Sequence, residues 1–298
     1  MALTWPVVLA VLCGAMLHAA WNALIKSGTD KAFDTALVTV MGALIALPLA
    51  LWVGLPPRAA WPYIGASLVI HIGYYTALAG AYRHGELGLT YPIMRGLAPL
   101  LVALSSGALI GEVPAPGAWA GIVAIAAGVG LVGLGGAAQP GTGRAHREAL
   151  AFAFANAAII ALYTVVDGRG VRSSSGSGVA MDATGSLRYV LWLAVLDALA
   201  YPSLVWWRQG AAGRRELRRC VATQWPLAAL GGAAALASYA VALWAMTRAP
   251  VASVAALRET SVLFAAIYGT WLLKERFGPQ RAIGTGVIVA GVMALRFA

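Results

Sequence analysis

The chain has 298 residues, 60% of them hydrophobic and only 11% charged, with a formal charge of +10. A soluble domain carries about a quarter charged residues, so a soluble fold is excluded and a helical integral membrane protein is expected. The positive charge does not point to nucleic acid, because the Lys and Arg sit mostly in short loops between apolar runs and read as topology signals and lipid-headgroup contacts.

Ten apolar runs follow one another, at roughly 4–25, 32–53, 61–82, 87–110, 116–135, 148–167, 186–207, 225–247, 251–273 and 279–297. Each is close to the roughly 20 residues that cross a bilayer as a helix. The first lacks the basic residues that precede a signal-peptide core and runs to spanning length, so it is kept as a helix. It places His18, Trp21, Asn22 and Ile25 on one face, whose polar members should point inward.

The third run carries His71, Tyr75, Leu78 and Tyr82 as a stripe. In the fourth, Tyr91 and Arg95 accompany Pro92 and Pro99. Arg95 lies about 12 Å into the run, where a lipid-facing guanidinium costs at least about 2.5 kcal/mol. It should face a polar cavity or an acid; Glu259 and Asp197 are the alternatives to the cavity. The two prolines remove backbone donors, and a bend belonging to this half alone is expected. Glu112 ends the run four residues before Pro116, where its carboxylate suits the start of the fifth helix. Gly121 and Gly128 form a close-packing face on that helix.

Residues 136–147 divide the chain. The sixth run offers Asn156 and Tyr163, and the seventh Asp197. The segment 168–185 contains RSSSGSG and reads as flexible, while 208–224 contains RRELRRC and reads as a basic interfacial piece. Trp61, Tyr82 and Trp225 near run ends read as interface anchors. Trp21, Tyr75, Tyr163 and, in the eighth run, Tyr239 lie mid-run and are candidate cavity walls. The ninth run carries Arg258 and Glu259 side by side, and Glu275 ends it as Glu112 ends the fourth.

The halves repeat. Trp61, Pro62 and Tyr75 match Trp225, Pro226 and Tyr239 at an offset of 164. Arg95, Leu109, Glu112, Pro116, Gly121 and Gly128 match Arg258, Leu272, Glu275, Pro279, Gly284 and Gly291 at 163. The units are residues 1–137 and 148–298, joined by a loop at 138–147. Five is odd, so the second unit enters the membrane from the other side, as in secondary transporters. The expected fold class is an all-α membrane protein of ten transmembrane helices in two five-helix inverted-topology repeats.

This layout, the Arg-Pro-apolar-Gly-Glu-Pro pattern of the fourth run, its echo ALRETSVLFAAIYGTWLLKE, and HAAWNALIK at the start resemble the EamA family of the drug/metabolite transporter superfamily. Within it the chain resembles the YddG-type exporters of aromatic amino acids. The resemblance implies alternating access around a central cavity, export of small metabolites, amino acids above all, and both termini in the cytoplasm of a bacterial-type inner membrane. Of 21 Lys and Arg, 13 fall on the opposite face, so the positive-inside rule places the termini outside; the resemblance is followed here.

His18, Trp21, Asn22, Tyr75, Tyr91, Arg95, Tyr163, Tyr239, Arg258 and Glu259 are the expected solute-binding residues. Aromatic rings would contact the solute's body and Arg95 or Arg258 its carboxylate. An uncoupled facilitator, a channel for other small solutes and a multidrug exporter remain as alternatives. Glu259, His18 and Asp197 are possible proton carriers. No nucleophile or metal-ligand constellation stands in the sequence, so enzyme activity, metals and cofactors are not expected. The partners foreseen are a small-molecule solute and the lipid bilayer, with the protein acting as a monomer.

Overall fold

A backbone crossing lipid must satisfy its own hydrogen bonds, which favours helices wherever the sequence is apolar. The computed structural model describes residues 3–27, 31–84, 87–134, 143–175, 183–208, 211–273 and 278–298, and among them it is helical with no strand. The helices are α1 (Trp5–Ser27), α2 (Lys31–Val53), α3 (Trp61–His84), α4 (Leu87–Ile110), α5 (Pro116–Leu134), α6 (Arg144–Ser175), α7 (Ala183–Arg208), α8 (Ala211–Met246), α9 (Val251–Arg258), α10 (Ser261–Leu273) and α11 (Pro279–Phe297), with a 3-10 turn at Arg58–Ala60. Among the described residues, eight segments are long and apolar enough to cross a membrane. Large apolar side chains such as Trp52, Val69, Leu104, Leu199 and Trp207 point outward, as lipid-facing surface should.

Three boundaries differ from the sequence reading. Helix α6 runs on to Ser175, past Asp167, where the apolar run ends. The described part of the stretch expected as an interfacial piece, from Ala211, is the beginning of α8. The ninth run is two helices. At the joint, Glu259 N donates to Ala256 O at 3.0 Å, Thr260 N to Leu257 O at 3.1 Å and Leu263 N to Thr260 O at 2.9 Å, the three-residue spacing of a tighter turn. Thr260 Oγ1 also donates to Leu257 O at 2.7 Å, competing for a helix carbonyl.

The helix break does not fall in the proline-bearing half. Helix α4 is one continuous element through Pro92 and Pro99. The interruption falls in the other half, which has no proline there. Pro92 instead packs: its ring occupies the space that a Cβ on Gly133 of α5 would need.

Helices α5 and α11 cross through the four glycines singled out in the sequence. A Cβ on Gly121 would lie 2.9 Å from Gly291 O, and one on Gly128 would lie 2.8 Å from Gly284 O. Gly121 therefore opposes Gly291 and Gly128 opposes Gly284, so the two helices run antiparallel. The offset of 163 exchanges these two contacts, the signature of a self-complementary crossing. Several packing pairs follow the same exchange. Helix α3 lies on α6 as α8 lies on α1, α4 on α6 as α10 on α1, and α2 packs on α7.

One end of the bundle is tied by polar contacts. Gly111, at φ +71°, turns the chain out of α4, a backbone region open to glycine at little cost. Glu112 then reaches the start of α9: its Oε2 accepts from Val251 N at 2.8 Å, while Oε1 pairs with Arg172 Nη2 at 2.7 Å. Glu112 thus caps α9 and not α5, correcting the sequence reading while keeping its physics of a carboxylate at a helix N-terminus. Arg172 Nε also donates to Met246 O at 2.8 Å. At the same end Arg188 Nε donates to Val53 O at 2.7 Å and Trp192 Nε1 to Gly54 O at 2.9 Å. Glu275, residues 138–142 and 176–182, and the side chains of Ile25 and Tyr82 lie outside the described residues.

Candidate functional site

Three clusters of polar side chains lie enclosed or nearly enclosed among the helices. The first joins the two halves. Arg95 of α4 and Glu259 at the α9–α10 joint meet at 2.7 Å, Nε to Oε2, with 5% and 4% of each residue exposed. The contact has ion-pair distance without hydrogen-bond alignment, so Arg95 Nε and Glu259 Oε2 keep hydrogen-bonding capacity unused within the protein. Arg95 Nη2 lies 3.4 Å from both Ser261 Oγ and His18 Nε2. On the other side of the ring, Trp21 Nε1 lies 3.3 Å from His18 Nδ1. A neutral imidazole accepts at only one nitrogen, so this ring faces two donors and can satisfy one.

The second group is built on Asp167 of α6, which is fully buried. Its Oδ1 accepts from Tyr189 of α7 at 2.8 Å, and its Oδ2 accepts from Tyr239 of α8. The Tyr239 ring also carries Arg258, whose guanidinium carbon stands 5.3 Å from the ring centroid, within cation–π reach.

The third group joins α3 to α7. His71 Nδ1 lies 3.3 Å from Asp197 Oδ1, and Tyr75 OH donates to Asp197 Oδ2 at 3.1 Å. Tyr75 stacks on Tyr201 at 4.0 Å between centroids, and His71 meets Tyr163 edge-on at 5.0 Å. Tyr74 meets Tyr163 on another edge at 5.9 Å. Tyr163 stands within electrostatic reach of Arg95, Arg258, Glu259 and Asp167, which links the three groups.

The residues singled out in the sequence distribute as follows. His18, Arg95 and Glu259 meet directly, and Tyr91 joins them beside Ser261. Arg258 and Tyr239 meet one layer away. Tyr75 and Tyr163 belong with His71. Trp21 bridges to the group through His18 but otherwise packs with Phe33 and Leu37. Asn22 does not converge with the others: its amide donates to His18 O of its own helix at 2.7 Å. Asn156 likewise serves the backbone, donating to Tyr74 O at 2.9 Å. Asp167, Tyr74, Tyr189, Tyr201 and Ser261 are missed by the sequence reading. Asp167 was findable as an acid in an otherwise apolar context, but its charge reads as the end of a span.

An apolar outer shell around buried charges, with one helix interrupted beside them, is an arrangement that membrane transport proteins use. Residues 147–297 match the EamA-like transporter family, and the chain belongs to that family. No curated protein matches the chain. A solved crystal structure, of a protein described no further, is similar in fold, with a TM-score of 0.67 at 19% identity over 98% of this chain and 95% of that one.

Proposed function

We propose that this protein is a secondary transporter exporting small metabolites, amino acids first among them, by alternating access across a bacterial-type inner membrane. The observation that carries the reading is the Arg95–Glu259 pair. A zwitterion presents a carboxylate and an ammonium, and this pair presents the complementary cation and anion side by side with unused donor and acceptor atoms. Binding exchanges one ion pair for two, so the desolvation already borne by the buried charges is not added again. Tyr91, Tyr163 and Tyr239 supply aromatic walls, which suits an aromatic solute body. Arg258 offers a second carboxylate partner, and His18, Trp21 and Tyr75 complete the proposed lining.

Ten spans in two inverted repeats support alternating access. That topology is favoured by the repeat offsets in the sequence and by the exchange of Gly121–Gly291 with Gly128–Gly284. It takes α9 and α10 as one span, and α3 and α11 as spans of lower hydropathy. The buried acid Asp167 among tyrosine rings favours a second reading, export of an organic cation.

Counterflow in liposomes tests both. Vesicles loaded with unlabelled aromatic or aliphatic amino acids, or with a cationic dye, are offered the labelled compound. Saturable counterflow of zwitterions is the expected result. Counterflow of the cation alone selects the second reading, and failure of every amino acid removes the first. Unsaturable single-channel currents would instead mark a channel.

A further inference from the structure

The His71–Asp197 dyad has no task in holding a zwitterion at Arg95–Glu259. We propose that it is the proton-binding site that couples solute export to proton entry; this rests on the transport reading above and adds a ligand to it.

The three buried polar groups differ in what a proton can do to them. An arginine does not release its proton, so Arg95–Glu259 takes one up only by giving up its pairing. Asp167 is fully buried and held by two tyrosine hydroxyls, which leaves no open approach. His71 and Asp197 each keep 12% of the side chain exposed. Histidine is the side chain that exchanges protons near neutrality. With both imidazole nitrogens protonated the dyad is a neutral ion pair of imidazolium and carboxylate; with only one protonated, the dyad carries one negative charge in a low-dielectric interior. A single proton therefore switches the charge of this layer, and the proton comes from and returns to bulk water on either side.

The surroundings suit such a switch. Tyr75 on α3 holds the far oxygen of Asp197 at 3.1 Å and fixes the carboxylate. The charges that reach His71 are Asp197 from α7, Asp167 from α6 and Arg258 from α9. Tyr163 on α6 touches the ring edge, and Tyr201 of α7 backs Tyr75. Beside Tyr201, α2 brings Asp34, two residues from the Ala32 carbonyl on which the Tyr201 hydroxyl rests. Tyr163 and Arg258 also stand near the Arg95–Glu259 pair. A solute there changes the field that the dyad feels. This is the differential interaction that coupling between two sites requires.

The test uses full-length protein in liposomes with an acidic interior and an alkaline medium, a pH-sensitive dye inside, and labelled phenylalanine outside. Wild type is expected to accumulate phenylalanine inside while the lumen turns alkaline in step. His71→Gln and Asp197→Asn are expected to lose accumulation and dye response alike, while keeping counterflow at equal pH. Asp197→Glu is expected to restore part of the coupling. Accumulation by either neutral variant at the wild-type level, or wild-type counterflow with no proton movement, overturns the proposal.

A second measurement needs no solute. Infrared difference spectra of purified protein in lipid, taken across the range in which imidazoles titrate, should show imidazole bands that His71→Gln removes. Their persistence in that variant overturns the dyad. If phenylalanine fails to counterflow in wild type while these bands behave as expected, only the solute assignment falls.

Discussion

Arg95 and Glu259 stand 2.7 Å apart, one from each half of the chain, at the joint where α9 gives way to α10. Both are almost fully enclosed. Removing one member leaves a buried charge without its partner, which costs about 3–5 kcal/mol, whereas neutralising both is often nearly free. Arg95→Gln and Glu259→Gln alone should therefore lower the melting temperature in detergent strongly, and the double variant should recover most of it. A double variant as unstable as the sum of the two singles would mean that the pair is not what ties these helices.

The Glu112 contact makes a different prediction. Helix α9 is eight residues long and buried along Val251–Leu257. It runs from the Glu112–Arg172 tie to the Arg95–Glu259 pair, so a change at either end is carried by one short rigid element. Glu112→Gln removes the charge at the α9 N-terminus, worth up to about 1 kcal/mol, and weakens the contact to Arg172. Ala249 is fully buried at this end. A cysteine placed there should react faster with a membrane-impermeant maleimide when Glu112→Gln is added, and an unchanged rate would show that the tie does not hold this end closed.

At the α5–α11 crossing, Gly128→Ala brings a Cβ within 2.8 Å of a backbone oxygen, whereas a Cβ on Gly130 meets nothing within 4 Å. The first should destabilise by about 1–3 kcal/mol through overpacking, and the second should be neutral or stabilising by up to about 1 kcal/mol, as glycine-to-alanine changes in helices are. Thermal unfolding of the two variants side by side checks the seam.

The prolines of α4 give a fourth test. Gly133→Ala should destabilise because its methyl group enters the space of the Pro92 ring. Adding Pro92→Ala should relieve much of that loss, a coupling that a double-mutant cycle measures. Additive effects would contradict a packing role for Pro92.

Apolar runs and glycine spacing are local patterns, and the helices and the α5–α11 crossing follow them closely. The offset from Arg95 to Arg258 locates the charged layer, but not the pairing. Glu259 lies beside Arg258 in sequence yet contacts Arg95, because helix geometry sends neighbouring side chains in different directions. The interruption at Glu259–Thr260 carries no proline signal. Glu112 was legible as a capping acid, but which helix it caps depends on a turn at Gly111 that swings it away from its own sequence neighbour. Asp167 was hidden by the rule that a charge ends a span, a rule that fails where tyrosines from two other helices satisfy the carboxylate.

In the proposed function the Arg95–Glu259 charges hold the solute. Counterflow of labelled phenylalanine by the Arg95→Gln/Glu259→Gln double variant, with its thermal stability measured in the same preparation, tests it most directly. The expected result is a protein close to wild type in stability whose counterflow is lost. A stable double variant that exchanges phenylalanine at the wild-type rate would contradict it.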